Sequence, residues 1–248
     1  LAAGLVSFLF YCIYDRKLDK QLAEQGASDN SSSPEDEFSF KDVVDVIKNP
    51  AFWMIAFLCL LFYAAVNPFL KYSTGMMVGK FGIGETLAGL FPMILPMGCI
   101  VLTPLFGGIY DKKGHGADLM ILGACLITAV HLVFAILPDG ASPVFPIILM
   151  VFLGIGFALL PSAMWPSVAK IIPAKQLGTA MALTFYIQNI GFIFVPKAIR
   201  AIQAGTEGYF WFSIFFTCLG VSAILLSSGI KLLDKKKRYG LQVPNIQK

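Results

Sequence analysis

The sequence predicts an all-α integral membrane protein with six complete spanning helices and the end of a seventh. Three observations carry that expectation. Hydrophobic residues make up 57% of the 248 positions and charged residues 14%, whereas a soluble domain holds about 25% charged residues. Six apolar stretches each reach the roughly 20 residues a helix needs to cross a bilayer. The basic residues collect in alternate connections between those stretches, the pattern by which a multi-pass protein sets its orientation. An ordinary soluble enzyme is excluded. The net charge of +4 does not point to a nucleic-acid partner either, because the Lys and Arg residues are not gathered on one soluble face.

Residues 1–14, LAAGLVSFLFYCIY, are apolar from the first position and show no initiating Met, basic leader or small-residue cleavage pattern. They read as the end of a spanning helix that begins before Leu1. Residues 15–49 are the one long polar segment. Its centre, Ser28 to Glu37, has the Ser, Asp, Glu and Pro composition of a flexible linker. From Ser39 to Lys48 the spacing of Phe40, Val43, Val44 and Ile47 predicts a short amphipathic helix at the membrane interface. Asn49-Pro50 then opens the first complete span, since proline is tolerated in a first helical turn.

The complete spans are expected near 51–72, 86–110, 117–137, 143–168, 178–202 and 208–231, together a six-helix bundle over 50–232 followed by a basic tail over 233–248. Of the 19 basic residues, all but Lys71, Lys80, Lys197 and Arg200 fall in the linker, the Asp111–Gly116 connection, the connection near Pro173, or the tail and the end of the last span before it, where Lys231 stands. Linker and tail are therefore expected in the cytoplasm, at a plasma or inner membrane. The run KLLDKKKR reads first as a topology anchor and second as a contact for anionic lipid of the bilayer. The five cysteines, Cys12, Cys59, Cys99, Cys125 and Cys218, lack C-x-x-C spacing and a nearby His. They read as small buried hydrophobes, with no metal, disulfide framework or cofactor expected.

The strongest motif is Gly107-Gly-Ile-Tyr-Asp111-Lys112-Lys113-Gly114-His115-Gly116, in a short connection between the second and third complete spans. Gly107 is expected to allow a close helix approach, Asp111 to meet a helix N-terminus or an Arg, and Gly114 to permit a tight turn. A phosphate-binding loop is excluded, since no Gly-Lys-Ser/Thr follows at the required spacing. The motif resembles the loop signature of the major facilitator superfamily, with His115 in place of the usual basic residue. The resemblance implies the general transporter fold of that superfamily, and the long linker upstream matches its second half. The chain then reads as the end of helix 6, the central loop and helices 7 to 12. The run from Leu159 through Trp165, Pro166, Pro173, Leu177, Gly178 and Thr179 to Ala180, then Ile187-Gln188-Asn189-Ile-Gly191, resembles the helix 10 to 11 region of one subgroup, the domain-containing protein 1 group of animal dipeptide transporters. Tyr63-Ala-Ala-Val-Asn67-Pro68-Phe69 resembles the same group in helix 7.

Polar groups within spans are the default functional candidates, because hydrocarbon penalises them. No Asp or Glu lies near the middle of a complete span. A proton-coupling acid, if transport uses one, is therefore expected in the half that precedes Leu1. Tyr63, Asn67 and Lys71 are spaced by four, which places them on one face of an undistorted helix. Trp165, Tyr186, Gln188 and Asn189 complete the candidate cavity set, because the resemblance implies that helices 7, 8, 10 and 11 line the central path. Gln188 and Asn189 read equally well as groups that stitch helices together, Trp165 as packing, and Lys71 as a side chain snorkelling to the interface. Pro92, Pro96 and Pro104 in helix 8, and Gly154, Gly156, Pro161 and Pro166 in helix 10, are candidate hinges or kinks. His131 reads as structural.

The expected function is transport of a small polar organic solute by alternating access, two six-helix bundles rocking about a midplane site; the subgroup resemblance implies a peptide-like substrate. The alternative is a membrane receptor, sensor or scaffold that keeps the fold without flux. An embedded enzyme is not expected, since the chain has no nucleophile with a base and no metal-ligand spacing.

Overall fold

The computed structural model describes residues 8, 10–17 and 40–246, in two compact units, residues 1–40 and 41–248. In the first unit residues 8 and 10–17 are helical; the rest of the apolar 1–14 run and the linker centre lie outside the described residues. The second unit begins within α1 (Phe40–Lys48), at Lys41. Val46 points into the core while Val44 and Ile47 stay exposed, and Gln176 donates to Asp42 at 3.4 Å.

Among the described residues, six helices long and apolar enough to cross a membrane follow. The first is α2 (Pro50–Phe81). The Asn49 side chain caps it by accepting from the Ala51 N–H at 3.0 Å, and Pro50 sits in its first turn, where its missing N–H costs nothing. Gly82 ends it in the left-handed conformation, φ 65°, which glycine adopts without strain. The helix runs well past the expected end near 72. Lys80 is therefore no loop residue: it lies in the last turn, 4% exposed, and donates to the Phe134 carbonyl at 2.7 Å, satisfying an orphan acceptor near the end of α5.

The short α3 (Glu85–Ala88) precedes α4 (Phe91–Lys113), separated from it by Gly89 and Leu90. Pro92 stands in the first turn of α4. It marks a helix start, for the same reason as Pro50, rather than a kink within the span. Next come α5 (Gly116–Ile136), α6 (Val144–Ile171), α7 (Leu177–Gly205) and α8 (Phe210–Lys237). Pro96 and Pro104 lie inside α4, and Pro161 and Pro166 inside α6, without ending either helix.

In the bundle α2 lies between α7 and α8, α5 joins α8 to α6, and α6 joins α5 to α4. The centre is aromatic. Phe69 of α2 meets Phe216 of α8 edge-on at 5.5 Å, and His131 of α5 stacks on Phe216 at 5.2 Å. The expected structural role of His131 agrees with this full burial. Five buried hydroxyls are satisfied within their own helices: Thr128, Ser167, Thr184, Thr217 and Ser227 each donate to the carbonyl four residues earlier, as apolar surroundings favour.

Small residues set how closely the helices approach. Gly123 of α5 and Gly156 of α6 meet backbone to backbone, and Gly154 lies against Leu95 of α4. The Gly75/Gly79 pair makes room for Tyr209, whose hydroxyl donates to the Gly75 carbonyl at 2.9 Å. Tyr209→Phe is expected to destabilise the protein by about 1 kcal/mol, the net worth of one such bond. An unchanged unfolding temperature in detergent would show that this bond adds nothing.

Candidate functional site

The expected stripe on α2 divides in two. Asn67 and Lys71 border a pocket of about 420 Å³, closed by Pro68 and by Phe192 and Pro196 of α7. Lys71 is exposed and Asn67 half-buried. Tyr63, one turn earlier, instead turns toward α6, edge-on to Phe157 at 5.9 Å, with the Trp165 side chain in interaction with its phenol. Trp165 in turn lies 5.0 Å from Phe185 of α7. The aromatic pair thus ties α6 to both neighbours of the pocket.

Proline shapes the pocket from both sides. Pro68 and Pro196 lie inside their helices, and neither has an N–H to give, so the carbonyls of Ala64 and Phe192 lose their usual helical donors. Such freed carbonyls are tolerated at membrane depth where they line a cavity. Sequence reasoning passed over Phe192 and Pro196. The usable signal was a proline inside a span that already carried Gln188 and Asn189.

Three residues of α7 fall on different faces. Gln188 is buried, its Oε1 accepting from the Cys59 thiol at 3.4 Å, and one turn on Gly191 lies against Leu60 and Ala64 of α2. Gln188 therefore joins α7 to α2. Asn189 is exposed and returns its Nδ2 to the Phe185 carbonyl at 2.7 Å. Tyr186 is 70% exposed.

The α4–α5 loop holds a feature that sequence reasoning missed. Residues 239–246, read as part of a basic tail, fold back over it as a strap. The N–H groups of His115 and Gly116 donate to the carbonyls of Gln242 and Leu241, at 3.1 and 2.9 Å. Among the described residues Asp111 meets neither an Arg nor a helix N-terminus: its carboxylate accepts from the Asn245 side chain at 2.7 Å, and its carbonyl from the N–H groups of Asn245 and Ile246. Lys170, at the end of α6, donates to the carbonyls of Gly240 and Val243 at 2.9 and 2.7 Å. Buried Asp234 accepts from the Leu241 N–H at 3.1 Å.

Within the loop, Gly114 has φ 74° and ψ −134°, a conformation confined to glycine, and the strap backbone passes where its side chain would be. Lys112 is exposed. Apart from its own stretch of helix, no described atom lies within 4 Å of where a Gly107 Cβ would stand, so the expected close helix approach is not made there among the described residues. The signal for the strap lay in Gly114 and Gly116, two positions 2 apart in sequence that both lack side chains beside a short loop.

The sequence model described as the Major Facilitator Superfamily matches residues 1–196. Among curated relatives, proteins named lysosomal dipeptide transporter MFSD1 are similar to it. The one from Gallus gallus is 29% identical over 96% of this chain and 53% of its own length. The one from Danio rerio is 28% identical, over 98% and 51%, and the one from Homo sapiens 29%, over 76% and 39%. The chain thus spans about half the length of the curated relatives it matches, or less. With a family match over most of its residues and six apolar helices arranged as a bundle, the chain belongs to the major facilitator superfamily.

Proposed function

We propose that this chain supplies the C-terminal six-helix half of an alternating-access transporter for a small polar solute of the dipeptide class. The pocket between α2 and α7 carries the reading. Its volume of about 420 Å³ falls in the range of small-molecule sites, roughly 300 to 1,000 Å³. Lys71 offers an ammonium to a carboxylate, Asn67 offers both a donor and an acceptor to a peptide unit, and the Phe192 carbonyl, freed by Pro196, offers an acceptor to an amino terminus. The dipeptide class is supported by the name of the relatives.

Tyr63 and Trp165 form the aromatic wall one turn away, and Tyr186 and Asn189 border the volume that a complementary six-helix half would close. Gln188 belongs to helix pairing. The strapped α4–α5 loop moves with this half as one body during rocking. Linker and tail face the cytosol in this reading, which the charge pattern supports. The lysosomal relatives favour an organelle membrane over a plasma or inner membrane. A titrating acid, where coupling to protons is used, resides in the complementary half.

Uptake of labelled dipeptides into proteoliposomes tests this. Saturable uptake is expected, with Lys71→Ala and Asn67→Ala each raising the apparent KM about tenfold, equivalent to one lost polar contact of roughly 1.4 kcal/mol. Unchanged KM in both variants removes the site. Saturable binding without flux identifies a receptor instead.

A further inference from the structure

The end of α8 and the strap beside it enclose a second pocket, of about 550 Å³, which the transport reading does not use. Lys231, Lys235 and Arg238 contribute cations to its wall, with Asp234 the one acidic residue among them. Two of these four groups are already engaged. Lys231 pairs with Asp118 at 2.6 Å, and Asp234 is buried, holding the Leu241 N–H. Lys235 and Arg238 are exposed and form no ion pair among the described residues. Arg238 is held in place by its backbone, left-handed at φ 56°, its N–H donating to the Asp234 carbonyl.

The rest of the wall is Gly240, Gln242 and two open apolar side chains: Leu232 is 70% and Val243 47% exposed. The pocket lies at the last turn of a membrane-spanning helix ending at Lys237, the depth at which hydrocarbon gives way to headgroups. Two free cations beside an apolar wall at that depth match a phosphodiester joined to acyl chains. A zwitterionic headgroup would bring a third cation to the same place.

We propose that this pocket binds the headgroup of an anionic glycerophospholipid, Lys235 and Arg238 holding the phosphate while Leu232 and Val243 cover the first acyl carbons. Occupancy bridges α8 to the strap, whose Gly240 and Val243 carbonyls take Lys170. This inference rests on the membrane setting and is independent of any substrate.

The test titrates the detergent-purified protein, at physiological ionic strength, with phosphatidylglycerol or phosphatidylcholine and reads thermal stability. Lys235→Gln with Arg238→Asn removes the two free cations, and asparagine tolerates the left-handed position. Lys236→Gln with Lys237→Gln removes the same charge from neighbouring residues that do not line the pocket. Phosphatidylglycerol is expected to stabilise the parent above phosphatidylcholine. The pocket pair is expected to bind it about thirtyfold more weakly, and the neighbouring pair less than about threefold more weakly because screened surface charges lose little. Leu232→Ser is expected to weaken the lipid effect as well. Equal losses in the two pairs, equal stabilisation by the two lipids, or inorganic phosphate stabilising the parent as strongly as phosphatidylglycerol would each overturn the proposal.

Discussion

Leucine at position 156 is expected to prevent α5 and α6 from docking. A Cβ added at Gly156 would stand 3.1 Å from the Gly123 carbonyl and 2.9 Å from the Ile127 side chain; one added at Gly123 would stand 3.0 Å from the Leu160 backbone nitrogen. The obstacle on each side includes main chain, which cannot rotate away. Ordinary overpacking of a core costs about 1 to 3 kcal/mol because side chains shift. Here the helices themselves must separate, so the cost is expected above about 3 kcal/mol. The measurement is thermal unfolding and monodispersity in detergent, with Gly154→Ala as the comparison, since a Cβ there meets the Leu95 Cα at an ordinary 3.6 Å. A Gly156→Leu protein that melts with the parent would remove the backbone contact from the account of stability.

Alanine at position 114 is expected to release the strap. Its backbone conformation is one that a side chain strains by about 1 to 3 kcal/mol. The added methyl would also run into the backbone of Gln242, Val243 and Pro244. Two costs act at one atom, and the cheapest relief is for residues 239–246 to leave. Limited proteolysis reads this directly: the segment after Arg238 should be cut many times faster in Gly114→Ala than in the parent, while the melting of the bundle changes less. Lys170→Met should move in the same direction by removing two bonds to strap carbonyls. Identical cleavage rates in the parent and both variants would show that the strap is not held by this loop.

Much of the fold was legible because hydrocarbon imposes a length on every span. The six apolar runs reappear as α2 and α4 to α8, and the residual errors are at ends. Phe81 lies beyond the expected end of α2 because Lys80, which reads as a loop cation, finds a carbonyl partner on α5 that only the tertiary packing supplies. The candidate site was partly legible. The four-residue spacing of Asn67 and Lys71 needs no partner to be seen, whereas their separation from Tyr63 depends on where α6 and α7 lie. Gln188 and Asn189 are adjacent in sequence, yet one is buried against Cys59 and the other exposed; a helix turns by about 100° per residue, so small differences in docking decide which side is buried. Beyond the two glycines of the loop, the strap left little to read as a contact, because half of its hydrogen bonds join main chain to main chain, and carbonyls of Leu241 and Gln242 leave no mark in residue type.

The strap also orders events during biogenesis. Asp111 and Asn245 are 134 residues apart, so the α4–α5 loop emerges and enters its final side of the membrane long before the segment that completes it exists. Through the insertion of α5, α6, α7 and α8 the amides of His115 and Gly116 remain without the Leu241 and Gln242 carbonyls. Closure of the loop is therefore a late step that takes place only when α8 has been placed beside α5. Protection of this loop from a protease added on its own side should appear last among the bundle's contacts, which makes it a timer for the completion of assembly.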